Sequence, residues 1–256
     1  MGHSSRLLTL ARDLRRRKAR ERTQYFVAEG IRTVEELLQS TLEIRGVLAG
    51  PALASTTRGE ALRGAVAKRG IELLDVTEAE FDSSAETESP QGILALAEIP
   101  RRTLSDIRDA ADRVLALDAV QDPGNVGTML RSAGALGVAA TVALPGTVDL
   151  WNAKVVRSAA GTHFSHLAIM ANWTELDGWR ASRDVTLWGA DARGEPLSSV
   201  SSATPRRLAI VVGNEGSGLT TTARDRCARF VSVPVSGVGS LNVSVAAGIL
   251  LYELRR

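Results

Sequence analysis

Short apolar segments recur through the second half of the chain, and each is followed within a few residues by glycine, proline or asparagine. The segments predicted to be buried strands are residues 114–117, 139–143, 167–170, 185–188 and 208–212. Stretches with helical spacing of apolar residues separate them, which is typical of a mostly parallel sheet covered by helices on both faces. Ligands bind such sheets beyond the carboxyl ends of the strands. The sequence therefore predicts an α/β fold whose site lies in these loops.

The first 97 residues carry a second, smaller α/β pattern. Its predicted strands are residues 26–28, 44–48, 71–74 and 92–97, and its predicted helices begin at Ile31 and Arg58. Residues 98–112 contain Pro100, an arginine pair and alternating charges, so we interpret them as a linker or joining helix. The predicted organisation is a domain at 1–97, a linker at 98–112 and a larger domain at 113–256.

Basic residues are concentrated near the start of the chain. Of the 31 lysines and arginines, 28 are arginine, and eight basic residues lie between Arg6 and Arg22 beside only two acidic ones. Arginine binds phosphate with two parallel hydrogen bonds and stacks on bases, so this segment predicts a contact with nucleic acid. The expected contact residues are Arg12, Arg15, Arg16, Arg17 and Lys18. The alternative is a solvated, charged helix face.

Several other classes of protein are disfavoured. The chain has one cysteine, Cys227, which we interpret as structural, and its three histidines do not form a cluster with zinc-ligand spacing, so we expect no metal site. No apolar run approaches the roughly 18–20 residues that cross a membrane, and the basic N-terminus lacks the layout of a signal peptide. We therefore expect a cytoplasmic protein.

Three segments after predicted strands carry the polar and glycine residues of a candidate site. Residues 117–131 contain the turn Asp122-Pro123-Gly124-Asn125 and end at Arg131; residues 212–219 read V-G-N-E-G-S-G-L; residues 233–244 read V-P-V-S-G-V-G-S-L-N-V-S. These glycines do not have the G-x-G-x-x-G spacing of a dinucleotide site, and neither a phosphate-binding P-loop nor a nucleophile elbow is present. A capped helix with a surface arginine would also explain the first segment, and a carboxylate at the start of a helix over 219–227 would explain Glu215.

In their order and spacing, the three segments resemble the motifs of the SpoU (TrmH) family in the SPOUT superfamily of RNA methyltransferases. The resemblance covers residues 113–256 and is most specific at residues 240–246, S-L-N-V-S-V-A. It implies a C-terminal domain with a deep trefoil knot. It also implies S-adenosyl-L-methionine as cofactor and a ribose 2′-hydroxyl in RNA as methyl acceptor. Residues 5–97 look, more loosely, like the family's substrate-binding domain, which is similar to an RNA-binding ribosomal protein.

The resemblance also implies particular site residues. The polar active-site positions are Asn125, Arg131, Glu215, Ser240 and Asn242; the cofactor positions are Gly213, Glu215, Gly216, Val233, Pro234, Ser240 and Leu241; Lys154 and Arg157 fall in a region that faces RNA. Because a guanidinium is always protonated, Arg131 is a poor general base. We expect it to hold the phosphate next to the target ribose, with Glu215 orienting Arg131 and Asn125 orienting the nucleotide.

The leading interpretation is therefore an enzyme that methylates ribosomal RNA. The same reaction on tRNA is one alternative, and the separate N-terminal domain argues against it. A non-catalytic RNA-binding or ribosome-assembly factor is another, against which the presence of Asn125, Arg131 and Glu215 counts. The resemblance further implies a homodimer, and the apolar C-terminal helix predicted at 243–254 suits burial in a core or an interface.

Overall fold

The computed structural model describes residues 3–110, 113–200, 203–237 and 240–255. The chain divides into two compact units, one made of residues 1–101 and 151–165 and the other of residues 102–150 and 166–256. No helix in the described ranges is long and apolar enough to cross a membrane.

The first unit contains a four-stranded sheet with the order β1-β4-β2-β3. Its strands are β1 Tyr25–Glu29, β2 Ile44–Ala49, β3 Leu73–Asp75 and β4 Ile93–Glu98; its helices, numbered in chain order, are α1 His3–Asp13, α2 Arg17–Thr23, α3 Ile31–Gln39, α4 Thr57–Lys68, α5 Glu78–Asp82, α7 Ala153–Ser158 and α8 Thr162–Ser165. Strand β4 runs antiparallel to both β1 and β2, and β3 is parallel to β2. The predicted strands and helices of this half are confirmed, with shifts of one or two residues at their ends.

Residues 151–165 pack within the first unit, although the sequence assigned them to the domain at 113–256. The ring of Phe26 in β1 lies 4.5 Å from the ring of Trp151 and 5.8 Å from that of Phe164, measured between centroids. All three side chains are buried, and aromatic pairs of this kind contribute roughly 0.5–1.5 kcal/mol beyond the area that they bury. Contacts between residues so far apart in sequence leave no trace in local periodicity, so the sequence alone did not show this packing.

The second unit contains a six-stranded sheet with the order β10-β8-β9-β5-β6-β7, in which every strand pair is parallel. Its strands are β5 Arg113–Leu117, β6 Ala140–Ala143, β7 Ala168–Met170, β8 Thr186–Pro196, β9 Leu208–Val212 and β10 Arg229–Ser232; its helices are α6 Pro123–Ala135, α9 Trp173–Arg183, α10 Leu197–Val200, α11 Thr221–Arg224 and α12 Val243–Glu253. The α/β class and the five predicted strands are confirmed. Strand β10 was not among them, because its four residues, R-F-V-S, include only two apolar ones. The helix expected over 219–227 is limited to α11.

The predicted linker differs from the structure. Strand β4 continues to Glu98, and the joining helix amounts to one 3-10 turn at Leu104–Asp106. The side chains of Leu104 and Ile107 are buried in the core of the second unit. The burial of these two side chains therefore fixes the segment that begins at residue 102. The mostly polar composition of residues 98–112 did not indicate this burial.

Candidate active site

Two of the three segments meet because the strands before them are neighbours. Strands β5 and β9 pair in parallel, so their following loops leave the same edge of the sheet. The first loop leads into α6, where Asp122 is the N-cap and accepts a hydrogen bond from Asn125 N (2.8 Å), with Pro123 at the first helical position. The third segment leads into α12, whose N-cap is Asn242. Ordinary helix-capping chemistry thus places the predicted asparagines at two helix starts.

One hydrogen-bond network joins Glu215, Asn125 and Asn242. Asn125 Nδ2 donates to Glu215 Oε1 (3.1 Å), and Asn242 Nδ2 donates to Asn125 Oδ1 (3.0 Å). The carboxylate of Glu215 also accepts the backbone N–H groups of Asp122 (3.1 Å) and Gln121 (3.3 Å). The structure therefore brings together one predicted active-site residue from each of the three segments.

Glu215 acts as an anchor in this network. Its partial burial would by itself raise the pKa of the carboxyl, but the hydrogen bonds from Asn125 and from backbone N–H groups outweigh it and lower the pKa below its ordinary value. The carboxylate is therefore ionised at neutral pH, with donors on both oxygens. The interpretation of Glu215 as a helix-start carboxylate is wrong, because the following helix, α11, begins after its N-cap Thr220.

Arg131 is placed differently from the other predicted residues. It is exposed on α6, six residues after Asn125, and the two positions are rotated by about 120° from each other about the helix axis. The hydrogen bonds of the Glu215 carboxylate go to loop 121–125 and to Asn214, rather than to Arg131 as we expected. The backbone N–H groups of Gln121 and Asp122 bind the Glu215 carboxylate instead. The sequence alone does not show where such backbone groups lie in the fold.

A cavity of about 590 Å³ adjoins the network, within the size range of small-molecule sites. All of the expected cofactor positions line it: Gly213, Glu215, Gly216, Val233, Pro234, Ser240 and Leu241. Its apolar walls include Val212, Val231 and Leu250. The cavity is also lined by residues 190–193 of β8 and by Arg224, which were not among the predicted positions. A signal for the former was present in the polar residues that follow the apolar run 185–188.

Glycine shapes one wall of the cavity. Asn214 and Gly218 exchange two backbone hydrogen bonds of 2.9 Å, which closes the segment after β9 into a tight turn. A Cβ atom on Gly213 would lie 2.3 Å from the carbonyl carbon of Gly218, so only glycine fits at position 213. Residues 213–218 of this turn line the cavity, and three of the six are glycine.

The basic residues expected to contact RNA are exposed on α1 and α2 and between them: Arg12, Arg15, Arg16, Arg17 and Lys18. Two of the arginines hydrogen-bond Ser83 and two pair with acidic residues close by in sequence. Exposed ion pairs contribute only about 0–1 kcal/mol, so these guanidinium groups can exchange such partners for phosphate.

Lys154 on α7 is also exposed, whereas Arg157 has a structural contact. Its guanidinium lies 3.9 Å from the carboxylate of Glu29, which is fully buried in the first unit. Cys227 is half-buried, and burial raises the pKa of its thiol to about 12, so the thiol remains protonated. No group of three or more histidine, cysteine, aspartate or glutamate side chains is placed to hold a metal ion in the described residues.

Comparison with known families gives the class of the protein. The model of the SpoU rRNA methylase family matches residues 112–252, and the model of the MRM3-like substrate binding domain matches residues 9–95. The chain therefore belongs to the SpoU rRNA methylase family and is a methyltransferase.

Particular relatives refine this picture. The chain is 35% identical over 244 residues to the 23S rRNA (guanosine(2553)-2′-O)-methyltransferase RlmP of Bacillus subtilis, covering 94% of this chain and 93% of RlmP. It is 33% identical to the 23S rRNA (guanosine-2′-O-)-methyltransferase RlmB of Vibrio parahaemolyticus, over 73% of this chain and 78% of RlmB. Among solved structures, the AdoMet-bound rRNA methyltransferase of Sinorhizobium meliloti superposes with a TM-score of 0.84 at 25% identity, covering 99% of this chain and 95% of that one. The SpoU methyltransferase AviRb of Streptomyces viridochromogenes, in complex with AdoMet, gives 0.82 at 26% identity, with 97% and 96% covered.

Proposed function

We propose that this protein transfers a methyl group from S-adenosyl-L-methionine to the 2′-hydroxyl of a guanosine ribose in 23S rRNA. The observation that carries the proposal is the network of Asn125, Glu215 and Asn242 beside the 590 Å³ cavity. The near full-length similarity to RlmP, named for this reaction, supports the choice of substrate. The match to a substrate-binding domain favours rRNA over tRNA, and such a substrate would place the enzyme in the cytoplasm.

The cavity fits the cofactor. When bound, S-adenosyl-L-methionine supplies an electrophilic methyl group on a sulfonium. The main chain at Gly213, Gly216 and Leu241 would hold its polar groups, because glycine allows close approach of the backbone. The apolar side chains of Val212 and Val231 would pack against its adenine.

The asparagines retain hydrogen-bonding capacity for the substrate. Each amide has two N–H donors and an oxygen with two lone pairs, and the network uses one donor and one oxygen contact of Asn125. One N–H of Asn242 is likewise free of this network, while its oxygen caps α12 through Ser244 N (2.9 Å). These remaining groups would orient the ribose, and the exposed Arg131 would hold an adjacent phosphate and favour the forming alkoxide. Ser240, exposed at the cavity, would shape the third loop.

We also propose a homodimer that forms through α12. Its exposed side chains Val245, Ile249 and Tyr252 follow the i, i+4, i+7 spacing of one helix face. Leu250 and Leu251, which the sequence suggested for a core or an interface, are buried in the core. A second copy would cover the apolar stripe. Ile249→Glu should give a monomeric mass by light scattering, whereas a monomeric wild-type protein at micromolar concentration would contradict the dimer.

The trefoil knot implied by the family resemblance is part of the proposal. The similarity to solved SpoU methyltransferase structures supports it. The similarity to ribosomal proteins and the domain boundaries at 97 and 113 remain predictions.

The decisive experiment maps ribose methylation across all rRNA and tRNA in cells with and without the gene. We expect one position in 23S rRNA to lose its methyl group and to regain it with the wild-type gene but not with Asn125→Ala. Loss of a methyl group in tRNA would support the first alternative. RNA binding by the purified protein without any methylation would support the non-catalytic assembly factor.

A further inference from the structure

Asp118, at the end of β5, is a fully buried carboxylate that the proposed chemistry does not use. Its Oδ2 accepts a hydrogen bond from Thr220 N (2.7 Å), and its Oδ1 accepts one from Thr220 Oγ1 (3.1 Å). Thr220 lies two residues after Gly218, the end of the cavity-lining turn, and caps α11 by accepting a bond from Ala223 N (3.2 Å). Because burying a carboxylate is unfavourable unless its oxygens are bonded, Asp118 and Thr220 are mutually held in place.

The backbone of the neighbouring residue, Ala119, is held in one conformation by contacts on both sides. Its φ of 58° lies in the left-handed region, which is unfavourable for residues with a Cβ. It persists because contacts hold it on both sides: Asp118 N donates to Val212 O (2.8 Å), and Asn214 Nδ2 donates to Ala119 O (3.1 Å). Such strain is maintained only where the surroundings over-determine the backbone. We name Asp118 and Ala119 together the β5 latch.

The latch acts on a turn whose interior is already organised. Asn214 Oδ1 accepts hydrogen bonds from the backbone N–H groups of Gly216 and Ser217, both at 3.0 Å. The turn from 213 to 218 is therefore rigid within itself, and the Glu215 side chain joins its middle to loop 121–125. One end continues from β9, and the other is held by Asp118 through Thr220. The residues of this same turn line the cavity.

We propose that Asp118 is a positioning residue for cofactor binding: it fixes the far end of the cavity-lining turn through Thr220, so that the turn is preorganised for S-adenosyl-L-methionine. This inference rests on the proposed function. Preorganisation lowers the cost of binding, and once the cofactor is bound it holds the turn itself. Loss of the latch therefore raises KM for the cofactor and leaves kcat nearly unchanged, as expected for uniform binding.

The test compares Asp118→Ala with Asp118→Asn in the full chain, with Asp225→Ala as a control at an exposed carboxylate near the same segment. Calorimetry measures the Kd of S-adenosylhomocysteine, and methylation assays give KM and kcat. We expect Asp118→Ala to raise Kd and KM by about tenfold, the effect of losing one or two hydrogen bonds. Asparagine has the same shape and can bond both groups of Thr220, so Asp118→Asn should stay within about threefold of wild type.

A second pair of variants, at Thr220, tests the same contact if Asp118→Ala does not fold. Thr220→Val removes the hydroxyl contact and should raise Kd and KM for the cofactor, whereas Thr220→Ser keeps the hydroxyl and should not. Cys227, the one cysteine of the chain, lies three residues after α11 and donates its backbone N–H to Ala223 O (3.1 Å), so it reports on α11 independently. Its reaction with a thiol reagent should accelerate in Thr220→Val and slow again when S-adenosylhomocysteine is added.

Three results would overturn the proposal. The first is equal cofactor affinity in wild type, Asp118→Ala and Thr220→Val. The second is an Asp118→Asn variant as impaired as Asp118→Ala. The third is a fall in kcat with unchanged KM. Lack of binding to folded wild-type protein would overturn the proposed function and this role of Asp118 with it. Equal binding by wild type and variants would overturn only the role of Asp118.

Discussion

Replacing Glu215 tests whether this carboxylate anchors the active site or acts as its base. In Glu215→Ala the Asn125 amide and the N–H groups of Gln121 and Asp122 all lose their acceptor. Because Glu215 is exposed, each bond contributes toward the low end of the roughly 1.5–3 kcal/mol typical of bonds to charged groups. The catalytic consequence is larger than any one bond, since a misplacement of about 1 Å near the reacting atoms costs about 10²-fold in rate.

Glu215→Gln separates the two roles. Glutamine keeps one oxygen that can accept from Asp122 N and Asn125 Nδ2, but its amide group places a donor against the N–H of Gln121. About half of the anchoring contacts survive. We therefore expect kcat to fall by about 10²-fold in Glu215→Ala and by about 10-fold in Glu215→Gln, or about 2.7 and 1.4 kcal/mol of activation free energy.

Single-turnover methylation of the mapped rRNA fragment, at saturating cofactor, measures these rates. Asp225→Ala serves as a control at an exposed carboxylate. A general base loses all function when its carboxylate becomes an amide, so equal inactivity of the Gln and Ala variants would refute the anchor. A near-normal rate in Glu215→Ala would refute any active role for the network.

Four further outcomes are expected. Burial and the nearby Arg102 lower the pKa of His166 to about 4, so the unfolded chain takes up the proton first and stability is lost as pH falls from about 6.5 to 4, by up to ~3 kcal/mol. Urea titrations should show this pH-dependent loss in wild type and not in His166→Gln, whose loss of the bond to Thr141 shifts stability equally at all pH values. Arg20 is buried and donates to two backbone carbonyls, so Arg20→Ala should lower the free energy of unfolding by about 2–3 kcal/mol, and a change below 0.5 kcal/mol would contradict this structural role. Alanine at positions 15–17 should weaken RNA binding and reduce the slope of log affinity against log salt by roughly one per lost phosphate contact, which filter binding across a salt series measures. Arg131→Ala should keep cofactor affinity and lower the maximal rate by about 10²-fold, which single-turnover assays measure.

The sequence by itself determined the α/β class and most of the elements of both halves. Buried parallel strands are continuous apolar runs, and the runs at β5 and β9 are buried at every position. The candidate site followed from polar and glycine residues placed directly after such runs. The motifs were specific enough to indicate the family, and the cavity is lined by every cofactor position that they implied.

Only the tertiary structure decided how these residues are connected. The partners of Glu215 are backbone groups of another loop, and the latch of Asp118 on Thr220 joins residues about a hundred positions apart. Residues 151–165 join the first unit through aromatic packing on Phe26. Sequence periodicity reports which side of an element is buried, because burial follows the local repeat of the helix or strand. It does not report which distant group meets that side, because the choice of partner is made by packing and hydrogen bonding across the folded chain.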